Sequence, residues 1–244
     1  MAWHEIALFV GIGLSVGSFL NVLIYRLPAG KSVISPSSQC ACGVKIKPYH
    51  NIPVLSWLLL RGKSACCGQK ISVQYPLIEL AGGLIFTAVL FKLSYSLDAL
   101  VMGFVFSFLL ALSLIDFRHL VAYDSLNLAT LSIAVFHDAN MLQNITNAFI
   151  LAGALTLLRF YVSYFLKKEA MGEGDIIIAA TMGAALGVTN AFLAIFVGAV
   201  FALIGIITMQ VFKKQDEVPF IPFLSLGMFV VFIFDELFVR FFAW

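Results

Sequence analysis

Apolar residues along this chain gather into eight runs, at 5–25, 77–92, 97–115, 120–138, 145–166, 175–188, 190–212 and 220–239, separated by short polar breaks and one long one. Runs of this kind predict helices that cross a bilayer, whose hydrocarbon core takes about 20 residues. Several are shorter than that, so those with acids at their ends are expected inside a bundle, beside thinned lipid or water. The pattern predicts an all-α polytopic membrane protein of about eight transmembrane helices, with a small cysteine-containing domain between the first and second. The first run has no basic segment before it and no small-residue cleavage site after it, so it is expected to be a retained span.

Composition agrees with the pattern. The 244 residues are 61% hydrophobic and only 11% charged, against roughly 25% charged in soluble domains. The net charge of +2 says little; the placement of the charges says more. With the amino terminus outside the cytoplasm, twelve of the fifteen basic residues fall in inner segments, Lys92 and Arg240 fall outside, and Arg159 lies within a span. This is a strong positive-inside signal, and it turns the segments around Asp116 and Asp175 toward the cytoplasm. No internal repeat, nucleotide-binding glycine loop or nucleic-acid-binding pattern is present.

The long polar break, residues 26–76, is the one candidate extramembrane domain. At roughly 50 residues it buries little core, so a metal or docking on the membrane bundle is expected to hold it. All four cysteines lie here, as Cys40-Ala-Cys42 and Cys66-Cys67. Two pairs this far apart suit a tetrahedral thiolate zinc site, although both are tighter than the usual C-x2-C; free structural thiols are the other reading. Between the pairs runs a short apolar stretch with Trp57, suited to a membrane surface or to covering a ligand. His50 reads as a surface histidine. Small Gly17 and Ser18 in the first run permit close helix contact, and Asn21 follows one turn later.

The sharpest chemistry sits at Met171-Gly-Glu-Gly-Asp-Ile-Ile-Ile-Ala179, where Asp175 opens an apolar run. An aspartate at the centre of a membrane helix costs roughly 2.5–3.5 kcal/mol, less near an interface. Gly172 and Gly174 are expected to take backbone angles closed to other residues and to leave room beside the acid; a turn and helix cap is the bland alternative. A second acid, Asp116, ends the third run at the same face. Asp124 follows eight residues on, about two turns if the helix continues. The bland reading pairs Asp116 with Arg118 or His119. Brought within a few ångströms, Asp116 and Asp175 would hold one proton between them, one activating water and the other polarising a carbonyl, as amide hydrolysis requires. A transporter is the competing class, but both acids lie at one face and no polar path continues across the spans. A non-enzymatic assembly factor is the third. Farther on, the prolines of Val218-Pro-Phe-Ile-Pro222 break the chain before the last run and are expected to shape a wall near the acids.

With these residues in view, the chain resembles the prepilin peptidases, or type IV leader peptidases, of the GxGD intramembrane aspartyl proteases. The resemblance rests on Gly17-Ser-Phe-Leu-Asn21 with Tyr25-Arg-Leu-Pro28, Asn51-Ile-Pro-Val-Leu-Ser-Trp57, Tyr75-Pro-Leu-Ile-Glu-Leu80, the stretch from Asp116 to Asp124, Gly172-Glu-Gly-Asp175 and Pro219-Phe-Ile-Pro-Phe223. It implies that Asp116 and Asp175 are catalytic, with Asp124, Gly172 and Gly174 supporting, and that the enzyme cuts a basic leader from prepilins or type II secretion pseudopilins after a glycine. It also implies methylation of the new amino terminus with S-adenosyl-L-methionine, in a pocket the sequence leaves unknown, and residence in the bacterial inner membrane with the active site facing the cytoplasm. The division expected is a first transmembrane helix at 1–25, a methyltransferase-associated domain at 26–76 with Cys40, Cys42, Cys66 and Cys67 as candidate zinc ligands, and a protease bundle at 77–244. Two departures stand out: Tyr123 replaces the family's proline before Asp124, and Gln39 and Ser64 stand where the outer cysteines would be. Which prepilins are cut and the oligomeric state are not fixed by the sequence.

Overall fold

The computed structural model describes residues 2–40, 42–169, 171–212 and 218–242, with side chains described except at 208–212 and 239–242. Eight α-helices follow in order: α1 (Trp3–Arg26), α2 (Leu55–Leu59), α3 (Gln74–Leu93), α4 (Leu97–His119), α5 (Asp124–Val135), α6 (Met141–Leu166), α7 (Glu173–Phe212) and α8 (Ile221–Phe242), with a 3-10 turn at Pro48–His50. No strand occurs among the described residues. All eight apolar runs are helical along most of their length, and six helices, α1, α3, α4, α6, α7 and α8, are long and apolar enough to cross a membrane.

Two runs depart from simple spans. The run at 120–138 yields only the 12-residue α5, because a polar turn around Asp138 ends it. The runs at 175–188 and 190–212 join as α7, whose 40 residues would reach about 60 Å if straight, twice a hydrocarbon core. They are not straight. Gly187 has φ 76° and ψ 168°, a conformation that only glycine adopts readily, and it breaks the helix into a short piece, 173–186, and a longer one, 188–212.

The chain divides into two compact units, Met1–Gly103 and Phe104–Trp244, the division falling within α4. In the first, α1 and α3 pack antiparallel. A Cβ on Gly13 would strike the backbone of Gly82, and one on Gly17 would lie 2.6 Å from the Cα of Glu79. Glycine at these positions lets the backbones touch, the way helices associate where no hydrophobic drive acts between them. Deeper along the pair, Phe9 packs against Phe86 and Tyr95 at 6.2 and 5.9 Å between rings.

In the second unit α7 is the central element, with α5, α6 and α8 packed on it. The backbone of Gly198 meets that of Phe223 and Leu224, and Gly227 meets Ala194 and Gly198. The α4 segment runs antiparallel to α8: Phe106 packs on Phe229 and Phe232 at 5.1 and 5.0 Å, while Asp116 meets Ile221. Outward faces carry Phe149, Leu157, Phe165, Phe196 and Leu203, all exposed as lipid-facing side chains are.

Candidate active site

Asp116 lies in the last turn of α4 and Asp175 in the first turn of α7. They are 59 residues apart in sequence, yet the fold brings them near enough for the charge of one to act on the other. Both are buried, 7% and 8% exposed. Each carboxylate is fixed by a backbone donor at a helix start. Asp116 Oδ2 accepts from the N–H of Ile221, the first residue of α8, at 3.1 Å. Asp175 Oδ2 accepts from the N–H of Gly172 at 3.2 Å. The second bond is half of a capping box, the third helical residue reaching back to the residue before the helix. The cap and the acid pair are therefore one arrangement, since capping engages Oδ2 and leaves Oδ1 for other chemistry.

The glycines were expected both to free the backbone and to leave room beside the acid. Neither Gly172 nor Gly174 has positive φ, so unusual backbone angles are not their role. Gly174 is needed for close approach: a Cβ there would land on the Cβ of Ala122. At Gly172 a Cβ would make only an ordinary 3.5 Å contact with Asp175 Oδ2. The carbonyl of Gly174 accepts from Asn127 Nδ2 at 3.3 Å, which ties α5 to the start of α7. Asn127 is 1% exposed. Sequence reading passed over it, although an asparagine inside an apolar run was the available signal.

Asp124 is exposed. The helix does not continue through it: α4 ends at His119, and α5 starts at Asp124 after an extended Tyr123 with φ −88° and ψ 111°. That conformation is close to what proline would impose, so the turn survives the tyrosine. Glu173, between the two glycines, pairs with Arg159 of α6 at 3.5 Å, and Glu169 meets the same guanidinium at 3.8 Å. The basic residue assigned to a span thus anchors the loop leading to Asp175. One turn from Asp116 on α4, and one turn beyond Ile221 on α8, the hydroxyls of Ser113 and Ser225 are buried without a hydrogen-bond partner.

In the other unit, two short turns carry the cysteines. A bridge between Gln39 and Lys45 closes one, and a bridge between Lys63 and Lys70 closes the other. Gly43 and Gly68, both with positive φ, let the chain reverse. Cys42 Sγ lies 3.1 Å from Cys66 Sγ, and Cys40 Sγ lies 3.4 Å from Cys67 Sγ. All four sulfurs fall within 4.8 Å of one another. A tetrahedral zinc with bonds of about 2.3 Å sets its sulfurs about 3.8 Å apart, so this cluster fits the ion with small adjustments. The displaced cysteines therefore still converge. Ser64, in place of an outer cysteine, bonds Cys40 and Cys66 at 2.9 and 3.0 Å. Hydrogen bonding from Cys66, then from Ser64, draws the Cys40 thiol down to about 6, while hydrogen bonding with Cys40 pushes Cys66 up to about 12. One thiolate held by neighbouring donors is what such a donor set offers a soft cation. His50 is not part of the cluster.

Comparison with known proteins bears on both units. The model of the bacterial peptidase A24 N-terminal domain matches residues 12–93, and that of the type IV leader peptidase family matches residues 103–207. The prepilin leader peptidase/N-methyltransferase of Pectobacterium carotovorum is 35% identical over 93% of this chain and 91% of its own length. The chain belongs to the type IV leader peptidase family. Proteins of the same description from Xanthomonas campestris and Neisseria gonorrhoeae are each 31% identical, over 93% and 92% of this chain and 90% and 89% of theirs. No solved structure matches the chain significantly. This leader peptidase family member is a multi-pass membrane protein by its six long apolar helices.

Proposed function

We propose that this protein is an intramembrane aspartyl endopeptidase that removes the leader from type IV prepilins or type II secretion pseudopilins, and that it N-methylates the amino terminus so exposed. The observation that carries the first activity is the convergence of buried Asp116 and Asp175 in a family whose named relatives are prepilin leader peptidase/N-methyltransferases.

A water held between the two carboxylates loses a proton to the ionised one as its oxygen attacks the scissile carbonyl. The protonated partner donates to the carbonyl oxygen, and the tetrahedral intermediate collapses as the leaving amine takes up a proton. The two acids titrate as one unit, so the roles belong to the pair. The backbone N–H groups of Ile221 and Phe220 hold the Asp116 carboxylate, and that of Gly172 holds one oxygen of Asp175. Asn127 and the small Ala122 and Gly174 hold the start of α7 in place. Asp124, exposed at the head of α5, supports the site from outside the pair.

Methylation requires S-adenosyl-L-methionine, which supplies a methyl group from its sulfonium. Cys40, Cys42, Cys66 and Cys67 would hold a structural zinc, cross-linking two turns of a segment too small to build a core of its own. Twelve basic residues in the inner segments favour an inner-membrane orientation with the acids facing the cytoplasm. In this reading residues 26–76 serve methyl transfer and 77–244 carry the protease bundle.

The test is incubation of purified full-length protein with a prepilin, with and without S-adenosyl-L-methionine, followed by intact-mass measurement. The expected products are leader-free pilin without the donor and the same chain carrying one more methyl group with it. An uncut prepilin under both conditions would remove the reading.

A further inference from the structure

We infer that Glu79 and Asn21, at the glycine-lined crossing of α1 and α3, form the site that receives the substrate's free α-amine for methylation. The inference rests on the N-methyltransferase reading above, and it places the acceptor site on α1 and α3, outside the 26–76 segment.

Glu79 is 7% exposed, although it sits in a helix of membrane-spanning length. Its Cα faces Gly17 of α1, where no side chain could fit. Its Oε2 accepts the backbone N–H of Val54 at 2.7 Å, and no Lys, Arg or His pairs with it among the described residues. A buried carboxylate without a cation is a costly arrangement, and chains keep one where a charge arrives from elsewhere.

Asn21 occupies the adjoining corner of the same crossing. Gly17 and Asn21 are successive turns of α1, and Tyr75 and Glu79 are successive turns of α3. Asn21 Nδ2 donates to Tyr75 O at 3.1 Å and to Gly17 O at 3.3 Å, which fixes the amide orientation and engages both of its donors. Its Oδ1 is left buried with no partner, on a residue 4% exposed. The crossing therefore offers a carboxylate that has one backbone donor, Val54, and an amide oxygen that has none. A primary ammonium, with three N–H donors and a positive charge, complements both.

The segment covering the site is strained in a way that points to use. Val54 has φ 61° and ψ −51°, a conformation that is an outlier for a β-branched residue. Its N–H is the group that Glu79 holds. The carboxylate thus keeps the Pro53–Val54 turn over the crossing, where it helps to exclude water.

In the transfer, the bound ammonium gives one proton to Glu79, which passes it to water. The freed lone pair forms the new N–C bond as the C–S bond of the sulfonium donor breaks with its electron pair remaining on sulfur, and the methylated nitrogen keeps the positive charge. The residue acts as base and as counter-ion, and Asn21 orients the nitrogen.

The experiment uses the full-length protein in nanodiscs and a synthetic peptide with the amino terminus that cleavage leaves, beside the same peptide N-acetylated. Binding is measured by fluorescence anisotropy without any methyl donor. Wild type should bind the free amine about tenfold or more tighter than the acetylated form, the scale of a buried charge-assisted hydrogen bond. Glu79→Gln keeps an acceptor for Val54, so the turn is preserved while the charge is lost; it should erase that preference and lower methylation of the free peptide at least about a hundredfold. Asn21→Leu should weaken amine binding, and Glu79→Asp should restore part of what Gln loses. Equal binding of the two peptides by wild type would overturn the inference without need of any variant. So would methylation by Glu79→Gln at the wild-type rate. A wild type that prefers the amine yet never methylates it would support the site and remove the reaction proposed for it.

Discussion

The carboxylate of Asp116 accepts a hydrogen bond from the backbone N–H of Ile221, 105 residues further along the chain, at 3.1 Å. Pro219 and Pro222 bracket the start of α8, whose first N–H, that of Ile221, has no intrahelical carbonyl to reach. The acid takes it together with the N–H of Phe220 and is held in a fixed orientation. Asp175 meets its own donor, Gly172, in the same manner. Both acids are positioned by main chain, which side-chain substitution elsewhere disturbs little.

Asp116→Asn and Asp175→Asn should each lower prepilin cleavage by roughly 10³-fold or more. Because the two residues act as a unit, the double variant should be no slower than either single one. Asparagine is isosteric and still accepts the backbone hydrogen bond, so membrane insertion and melting temperature should stay near wild type. Initial rates of cleavage, read by intact mass, check the claim; additive losses in the double variant would show that the acids work separately.

Gly174→Ala should disable the site through packing. The added methyl collides with the Cβ of Ala122, and overpacking of this kind costs roughly 1–3 kcal/mol. The start of α7 must shift to relieve it, carrying Asp175 away from Asp116. Removing the opposing methyl should reverse the effect, so Ala122→Gly in the Gly174→Ala background is expected to regain cleavage. A substitution at Gly172, whose Cβ would have ordinary contacts, should be milder. Comparison of the three cleavage rates decides whether close approach is the reason for glycine.

These residues show what a sequence reveals and what it hides. Asp116 and Asp175 stood out as candidates because an acid beside an apolar run is costly and therefore informative. The break at Gly187 was legible as the gap between two runs. Ile221 was not, since a backbone N–H has no signature beyond the prolines around it. Gly174 was read for conformational freedom and for room beside the acid, but the neighbour it makes room for, Ala122, is a contact that no local pattern records. Asn21 looked like a packing residue, and it does pack; only the orphaned oxygen, visible once both amide donors are assigned, separates it from an ordinary helix contact.

The cysteine turns should carry one zinc per chain. Four sulfurs within 4.8 Å form a complete soft donor set, and a metal that binds only the folded form stabilises it. Elemental analysis of the purified protein should find a 1:1 ratio. Cys42→Ser should release the ion or weaken its retention, and a strong chelator should lower the temperature at which Trp57 fluorescence changes, Trp57 being packed beside Gly62 and bonded to Ile71 O at 3.2 Å. A metal-free wild type that melts at an unchanged temperature would leave the cysteines as plain thiols.

The turn joining α5 to α6 supplies a pH dependence outside the spans. Partial burial raises the pKa of Asp138, but hydrogen bonds from Asn144 and Asn140 and the charge of His137 outweigh it and hold the carboxyl below its ordinary value of 3.8. Asn144 is the centre of this turn, donating to Val135 O at 3.1 Å and to Asp138 Oδ1 at 2.8 Å. A carboxylate whose folded pKa is depressed stabilises the fold above its unfolded value, and that contribution fades as pH falls through the lower folded value. The melting temperature in detergent should therefore decline below about pH 3.8 in wild type, partly on account of this group. Asn144→Ala should cost about 0.5–1.5 kcal/mol at neutral pH through the loss of its hydrogen bonds to part-buried acceptors. It should also flatten the acid limb, since Asp138 then titrates closer to its unfolded value. An acid limb of the same steepness in both proteins would assign the pH dependence to other carboxylates and leave Asn144 a purely geometric role.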